Sequence, residues 1–254
     1  QHPINELELS RALLSAQRAA LHELKQTDGL QEALLIGECT RASIEIDGHQ
    51  SDDPIGLHGS VITVTMFNVL AMASTVQTIE QLADQLKFDP PYLMFAPQAV
   101  LSAWGERLGP EGVGLDIGGR HTTVLLWRKG FLRGVATVPV GGHDLTAALG
   151  RACQLDERGA ERLKIAYAGG QFDRAHQEWI RDALRPALER WMEGISKALH
   201  MLSQHQPVPA NLWLWGGSSQ LPDMYQATQA VTRCETLAFA GYPVLRPLSA
   251  VHVP

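Results

Sequence analysis

The chain has 254 residues, 45% of them hydrophobic and 19% charged, with a formal net charge of -6. That composition supports a sizeable core and excludes a disordered chain, and the acidic balance disfavours non-specific nucleic-acid binding, which needs cations in place of counterions. Cys39, Cys153 and Cys234 form no CxxC pair, the histidines show no paired metal spacing, and no apolar run is long enough to span a bilayer, so no zinc centre, redox dithiol or membrane span is expected.

Asn5 and Glu8 form a capping-box pair, and Leu9, Leu13, Ala16, Ala20 and Leu24 then recur at helical spacing, which predicts a helix over residues 6 to 25. Residues 33 to 38 and 42 to 46 read as strands, the second alternating Ile44 and Ile46 with Ser43 and Glu45. Asp47-Gly48 supplies a turn, and so does the 52 to 56 segment with Pro54 and Gly56. Residues 61 to 69 make a strong strand. Val76, Ile79, Leu82, Ala83 and Leu86 form a helical stripe, and Pro97 opens a short helix over 99 to 104. Residues 105 to 112 read as a loop and carry the expected subdomain boundary.

The second half predicts a strand over 114 to 117 and a hairpin of strands 124 to 127 and 132 to 138 around Arg128-Lys129-Gly130. Helices follow from Leu145 and over 156 to 168, the latter N-capped by Asp156. A long helical stretch over 175 to 204 is interrupted near Pro186. A short buried strand, 212 to 215, stops at Gly216-Gly217.

Three places carry candidate chemistry. In the run Asp116-Ile117-Gly118-Gly119-Arg120-His121-Thr122-Thr123 a strand stops at paired glycines and turns back. Exposed backbone N–H groups there can cradle a phosphate. Asp116 can orient a metal-bound water, and Thr122 can donate to an anion. A plain β-hairpin with a glycine-rich turn explains the same run equally well. The second strand end, Gly216-Gly217-Ser218, lets backbone approach a base or ribose, although a tight strand-to-helix turn also accounts for it. Glu161 and Lys164 share a helix face and can bracket a nucleoside, or form a solvated ion pair.

Taken in order, these segments resemble the actin, sugar-kinase and heat-shock chaperone ATPase superfamily. Asp116-Ile117-Gly118-Gly119 is similar to its second phosphate motif, Gly216-Gly217 to its adenosine motif, and Glu161 with Lys164 to its adenosine-flanking helix. Within it the chain resembles the FtsA family. Ile46-Asp47-Gly48 with the 53 to 59 segment is similar to the start of that family's extra subdomain, and the 138 to 146 and 160 to 164 segments to its post-hairpin region and following helix.

The resemblance implies an α/β fold with two parts. Residues 1 to 108 would hold a connecting helix and a small FtsA-type SHS2 α+β subdomain. Residues 109 to 254 would form an actin-like, ribonuclease H-like lobe. It further implies ATP and Mg²⁺ as cofactors, with Asp116 serving the metal-bound water. Gly118, Gly119, Arg120 and Thr122 would hold phosphate, and Glu161, Lys164, Gly216, Gly217 and Ser218 would hold adenosine. It implies head-to-tail self-assembly and linkage of the FtsZ ring, through the FtsZ C-terminal tail, to the inner face of the cell membrane from the cytoplasm.

Departures temper this. The family's first phosphate motif has no counterpart here. Arg120, His121 and Thr123 stand where the family has Gly, Thr and Asp, which implies at most a weak ATPase. Residues 239 to 254 carry three prolines and no basic apolar stripe, so no interfacial helix is readable. A pilus-assembly ATPase similar to PilM and a nucleotide-free scaffold remain as alternatives.

Overall fold

In a computed structural model, the structure describes residues 3–27, 32–35, 40–51, 53–203 and 206–248. The expected strand residues 36–38, Asp52 and Cys39, and the tail beyond 248, lie outside the described residues. The chain divides into two compact units, one of residues 1–105 with 131–133, the other of residues 106–130 with 134–254.

In the first unit, helix α1 (Glu6–Lys25) starts where the capping pair places it. Asn5 Oδ1 accepts from the Glu8 N–H at 2.9 Å, and Glu8 reaches back to the Asn5 N–H. The short strand β1 (Ala33–Leu35) pairs antiparallel with β5 (Leu70–Met72). Strand β2 (Thr40–Ile46) lies between β3 (His49–Ser51) and β4 (Ile62–Phe67), both antiparallel to it. The β2–β3 connection is Asp47-Gly48, both at positive φ, the backbone that a two-residue hairpin requires. Ile44 and Ile46 point inward, as alternation predicts, and form a small core with Ile4 and Leu9. In α2 (Ala73–Gln85) the expected stripe splits. Val76 and Ala83 are buried, but Ile79, Leu82 and the following Leu86 are exposed.

Helix α3 (Ala96–Leu108) takes in the first half of the expected loop, and β6 (Glu111–Ile117) takes in its last two residues. The second unit is built on a five-stranded sheet in the order β10-β9-β6-β7-β8. Strand β6 pairs antiparallel with β7 (Thr122–Arg128) and parallel with β9 (Asn211–Trp215). Strand β8 (Phe131–Val138) lies on one edge, and β10 (Val244–Pro247), parallel to β9, on the other. The inner strands are apolar because helices cover the sheet. Val113, Leu115 and Ile117 of β6 are fully buried with Leu149 of α4 (Gly142–Cys153) and Leu184 and Ile195 of α6 (Arg174–Ser203).

Helix α6 corrects the expected interruption, since it continues through Pro186. A proline inside a helix costs about 3 kcal/mol. Pro186 is on the exposed side, and the stripe Ile180, Leu184, Ala187, Leu188, Trp191, Ile195 is buried on both sides of it. Burying each large apolar side chain returns about 1.5–3 kcal/mol, so packing outweighs the local penalty. Helix α5 (Glu157–Ala168) is capped by Asp156 as expected, whose carboxylate accepts from the Gly159 N–H at 2.7 Å.

Candidate functional site

Because β6 and β9 are parallel and in register, with Asp116 opposite Trp215, their C-terminal ends lie side by side. Each ends in a glycine pair. In open α/β sheets such strand ends are where ligands are held. After β6, the Gly118 N–H donates to the His121 carbonyl at 3.1 Å and closes a tight turn. That turn is clamped by the start of α4. The Gly142 N–H donates to the Gly118 carbonyl at 2.9 Å, and the His143 N–H to the Gly119 carbonyl at 2.7 Å. Gly141 makes the clamp possible: a Cβ there would stand 2.7 Å from both the Gly118 and the Gly119 carbonyl oxygens. After β9, Gly216 has φ of +91°, and a Cβ there would lie 2.6 Å from the Ile117 carbonyl oxygen. A 3-10 turn (Gly217–Gln220) and helix α7 (Pro222–Thr232) follow.

Helix α5 supplies the third wall. Lys164 is buried, and its ammonium donates to the Gly142 carbonyl at 3.1 Å, to Thr146 Oγ1 at 2.9 Å, and to Glu161 Oε2 at 2.7 Å. The pair is therefore not a solvated surface bridge. Burial pushes the Glu161 carboxyl up, but the Lys164 ammonium and the Thr146 hydroxyl outweigh burial and hold it below its ordinary value. Farther along α5, the Tyr167 hydroxyl donates to Asp223 Oδ2 of α7 at 2.6 Å, and Arg181 Nε of α6 donates to Asp223 Oδ1 at 3.2 Å. This network fixes α5 against α7.

Between these walls lies a cavity of about 560 Å³ lined by Gly118, Gly119, Glu161, Lys164, Gly217 and Ser218 among others. Its volume is within the range of small-molecule and cofactor sites. Six of the ten residues singled out in the sequence thus meet in one place. Asp116 and Gly216 sit immediately behind the wall without lining it. The Asp116 carboxyl is pushed up by burial, partly offset by a hydrogen bond from the Trp215 side chain and by His121. Arg120 is exposed at the turn and lines no part of the cavity.

Thr122 is corrected outright. It is fully buried, its hydroxyl donates to the Val140 carbonyl at 2.9 Å and accepts from Trp191 Nε1 at 2.9 Å. A hydroxyl with both roles taken inside the core cannot serve a phosphate.

Sequence reasoning did not single out Gly142, His143, Thr146, Gln171 and Gln220 as site residues. The signal for the first two was available, since Gly141-Gly142 ahead of Asp144 repeats the pattern of a strand end meeting a helix start. Asp144 indeed accepts from the Gly141 N–H at 3.0 Å. Gln171 and Gln220 lie on connections that carry no such signal. Among the described residues no group of three or more His, Cys, Asp or Glu is arranged to hold a metal ion. No described helix is long and apolar enough to cross a membrane.

A family model for "Cell division protein FtsA" matches residues 113–250. One curated relative, the "Cell division protein FtsA" of Rhizobium meliloti (strain 1021), is 24% identical over 84% of this chain and 53% of its own length. The chain thus spans about half the length of that relative. Among solved structures, a "PilM-PilN type IV pilus biogenesis complex" superposes with a TM-score of 0.70 at 20% identity, covering 97% of this chain and 64% of that one. The MreB5 protein of Spiroplasma citri bound to ADP superposes at 0.51 and 13% identity, over 70% of this chain and 61% of that one. The fold is that of the actin-like ATPases. Since the family match runs from the first residues of β6 to the end of the described chain and takes in more than half of the sequence, the protein belongs to the FtsA family of cell division proteins.

Proposed function

We propose that the cavity binds ATP and that the protein acts in cell division as a nucleotide-dependent assembly factor. The observation that carries this is the convergence of two glycine-terminated parallel strands and the Glu161–Lys164 pair on one 560 Å³ cavity. The residues fit the ligand. Gly217 faces open space, with nothing within 4 Å of where its Cβ would stand, and Ser218, Gln171 and Gln220 offer neutral polar groups for a base and ribose. Glu161, Lys164, Gly216, Gly217 and Ser218 take the adenosine end, and the Gly118–Gly119 turn takes the phosphates. Asp116, at the end of β6 just behind the cavity wall, is the residue that would hold a water of a Mg²⁺ bound with the nucleotide, an ion that would neutralise phosphate charge. With a half-buried Asp116 and Thr123 opposite it, turnover is slow.

In this reading residues 1–108 form the small FtsA-type subdomain, the chain assembles head to tail, and it links the FtsZ ring, through the FtsZ C-terminal tail, to the inner face of the membrane. The family membership supports this set of partners, whereas a pilus-assembly role rests on likeness of fold alone. Calorimetric titration with ATP and Mg²⁺ tests the nucleotide, with saturable binding expected. Pull-down on immobilised FtsZ tail peptide tests the partner, with retention expected. Absence of nucleotide binding would leave a nucleotide-free scaffold, and absence of retention would remove the FtsZ linkage.

A further inference from the structure

Backbone N–H groups can hold part of an anionic ligand, a positively charged donor adds to them, and a count of the cavity's cationic side chains narrows that donor to one. Of the described residues lining the cavity, only Lys164 and His143 can carry a positive charge. The Lys164 ammonium has three protons and three protein acceptors: the Gly142 carbonyl, Thr146 Oγ1 and Glu161 Oε2. Turning any of them to a ligand would break a bond in a buried site, where an unpaired group costs about 1–3 kcal/mol. The first N–H groups of α4, which would ordinarily serve an anion, are also spent. Those of Gly142 and His143 donate to the carbonyls of Gly118 and Gly119. Asp144 caps the Gly141 N–H and pairs with Arg190 at 3.5 Å.

The His143 imidazole remains. It is exposed, and its ring makes no hydrogen bond among the described residues. It lies against the Gly118–Gly119 turn, with Nε2 3.3 Å from where a Gly119 Cβ would stand. It is also near enough to Glu161 to influence its carboxyl. The ring thus sits where the turn meets the α5 wall.

We propose that His143 contacts the anionic end of the ligand and sets the preference of the cavity for a nucleotide over its nucleoside. This rests on the nucleotide reading above. Arg120, the other cation near the turn, is exposed and lines no part of the cavity.

The test is calorimetric titration of the full chain with ATP, ADP and adenosine, for wild type, His143→Ala, His143→Arg and Arg120→Ala. Because His143 is exposed, its substitutions leave the fold intact, checked by circular dichroism. His143→Ala is expected to weaken ATP and ADP about tenfold or more, the scale of one charge-assisted hydrogen bond, and adenosine less than about twofold. His143→Arg restores the preference. The inference is overturned if His143→Ala weakens all three ligands alike, if Arg120→Ala and not His143→Ala removes the preference, or if the wild type binds ATP and adenosine equally. A wild type that binds none of the three ligands removes the nucleotide reading together with this inference.

Discussion

Replacing Tyr167 by Phe isolates the hydroxyl that ties α5 to α7. Tyr167 is 2% exposed and Asp223 3%, so neither group is solvated, and Phe retains the ring's packing. What is lost is the 2.6 Å bond from the hydroxyl to Asp223 Oδ2, leaving the carboxylate with Arg181 at 3.2 Å. A hydrogen bond to a charged group contributes about 1.5–3 kcal/mol, so Tyr167→Phe should lower the melting temperature of the second unit by roughly 3 to 12 °C. A second signature comes from pH. Burial, then the Asp223 carboxylate, push the Tyr167 hydroxyl from 10.0 up to about 12. The raised group keeps its full contribution below pH 10 and loses it as pH rises through 12, because the unfolded chain ionises first. The loss amounts to about 2–3 kcal/mol. Urea unfolding followed by the fluorescence of the buried Trp127 and Trp191 measures both effects. The wild type should weaken between pH 10 and 12, and Tyr167→Phe should lack this component. A variant within about 0.5 kcal/mol of wild type at neutral pH, with the alkaline loss unchanged, would refute the latch.

Thr122→Val should cost about 1–3 kcal/mol, since it leaves Trp191 Nε1 and the Val140 carbonyl unpaired in the core; its ATP affinity in calorimetry should stay within about twofold of wild type. Gly141→Ala should destabilise by about 1–3 kcal/mol, because its Cβ would press on the two carbonyls of the 118–119 turn, seen as a lower urea midpoint. The Asp116 carboxyl, raised by burial, favours folding only once protonated. Asp116→Asn should therefore be more stable than wild type at pH 7, and that gain should vanish as pH falls below 3.8. Denaturation at both pH values decides this.

Local chemistry made much of the fold legible. The Asn5–Glu8 cap and the Asp156 cap fixed two helix starts, and the Ile44/Ile46 alternation fixed the inward face of β2. Elements made by distant partners were not legible. Strand β10 ends in Pro247 and gains its extended form from parallel pairing with β9. The continuity of α6 through Pro186 comes from core contacts on either side, which no local rule contains. The site divides in the same way. Glycine pairs at strand ends announced the cavity, because only a backbone need shows up as glycine. The fate of Thr122 depended on Trp191, 69 residues away in sequence, and the commitment of Lys164 depended on Gly142 and Thr146 of another helix.

The claim on which the rest depends is that a nucleotide occupies the space between the two glycine-ended strands. Gly217 gives direct access to it, because a Cβ there would meet nothing within 4 Å and no positive φ opposes it. Gly217→Val should fold as well as wild type yet fill that space. Displacement of a fluorescent ATP analogue by unlabelled ATP should show one saturable site in wild type and an affinity at least about tenfold weaker in Gly217→Val. Equal affinity of the two proteins, or no saturable binding to the wild type, would contradict the account.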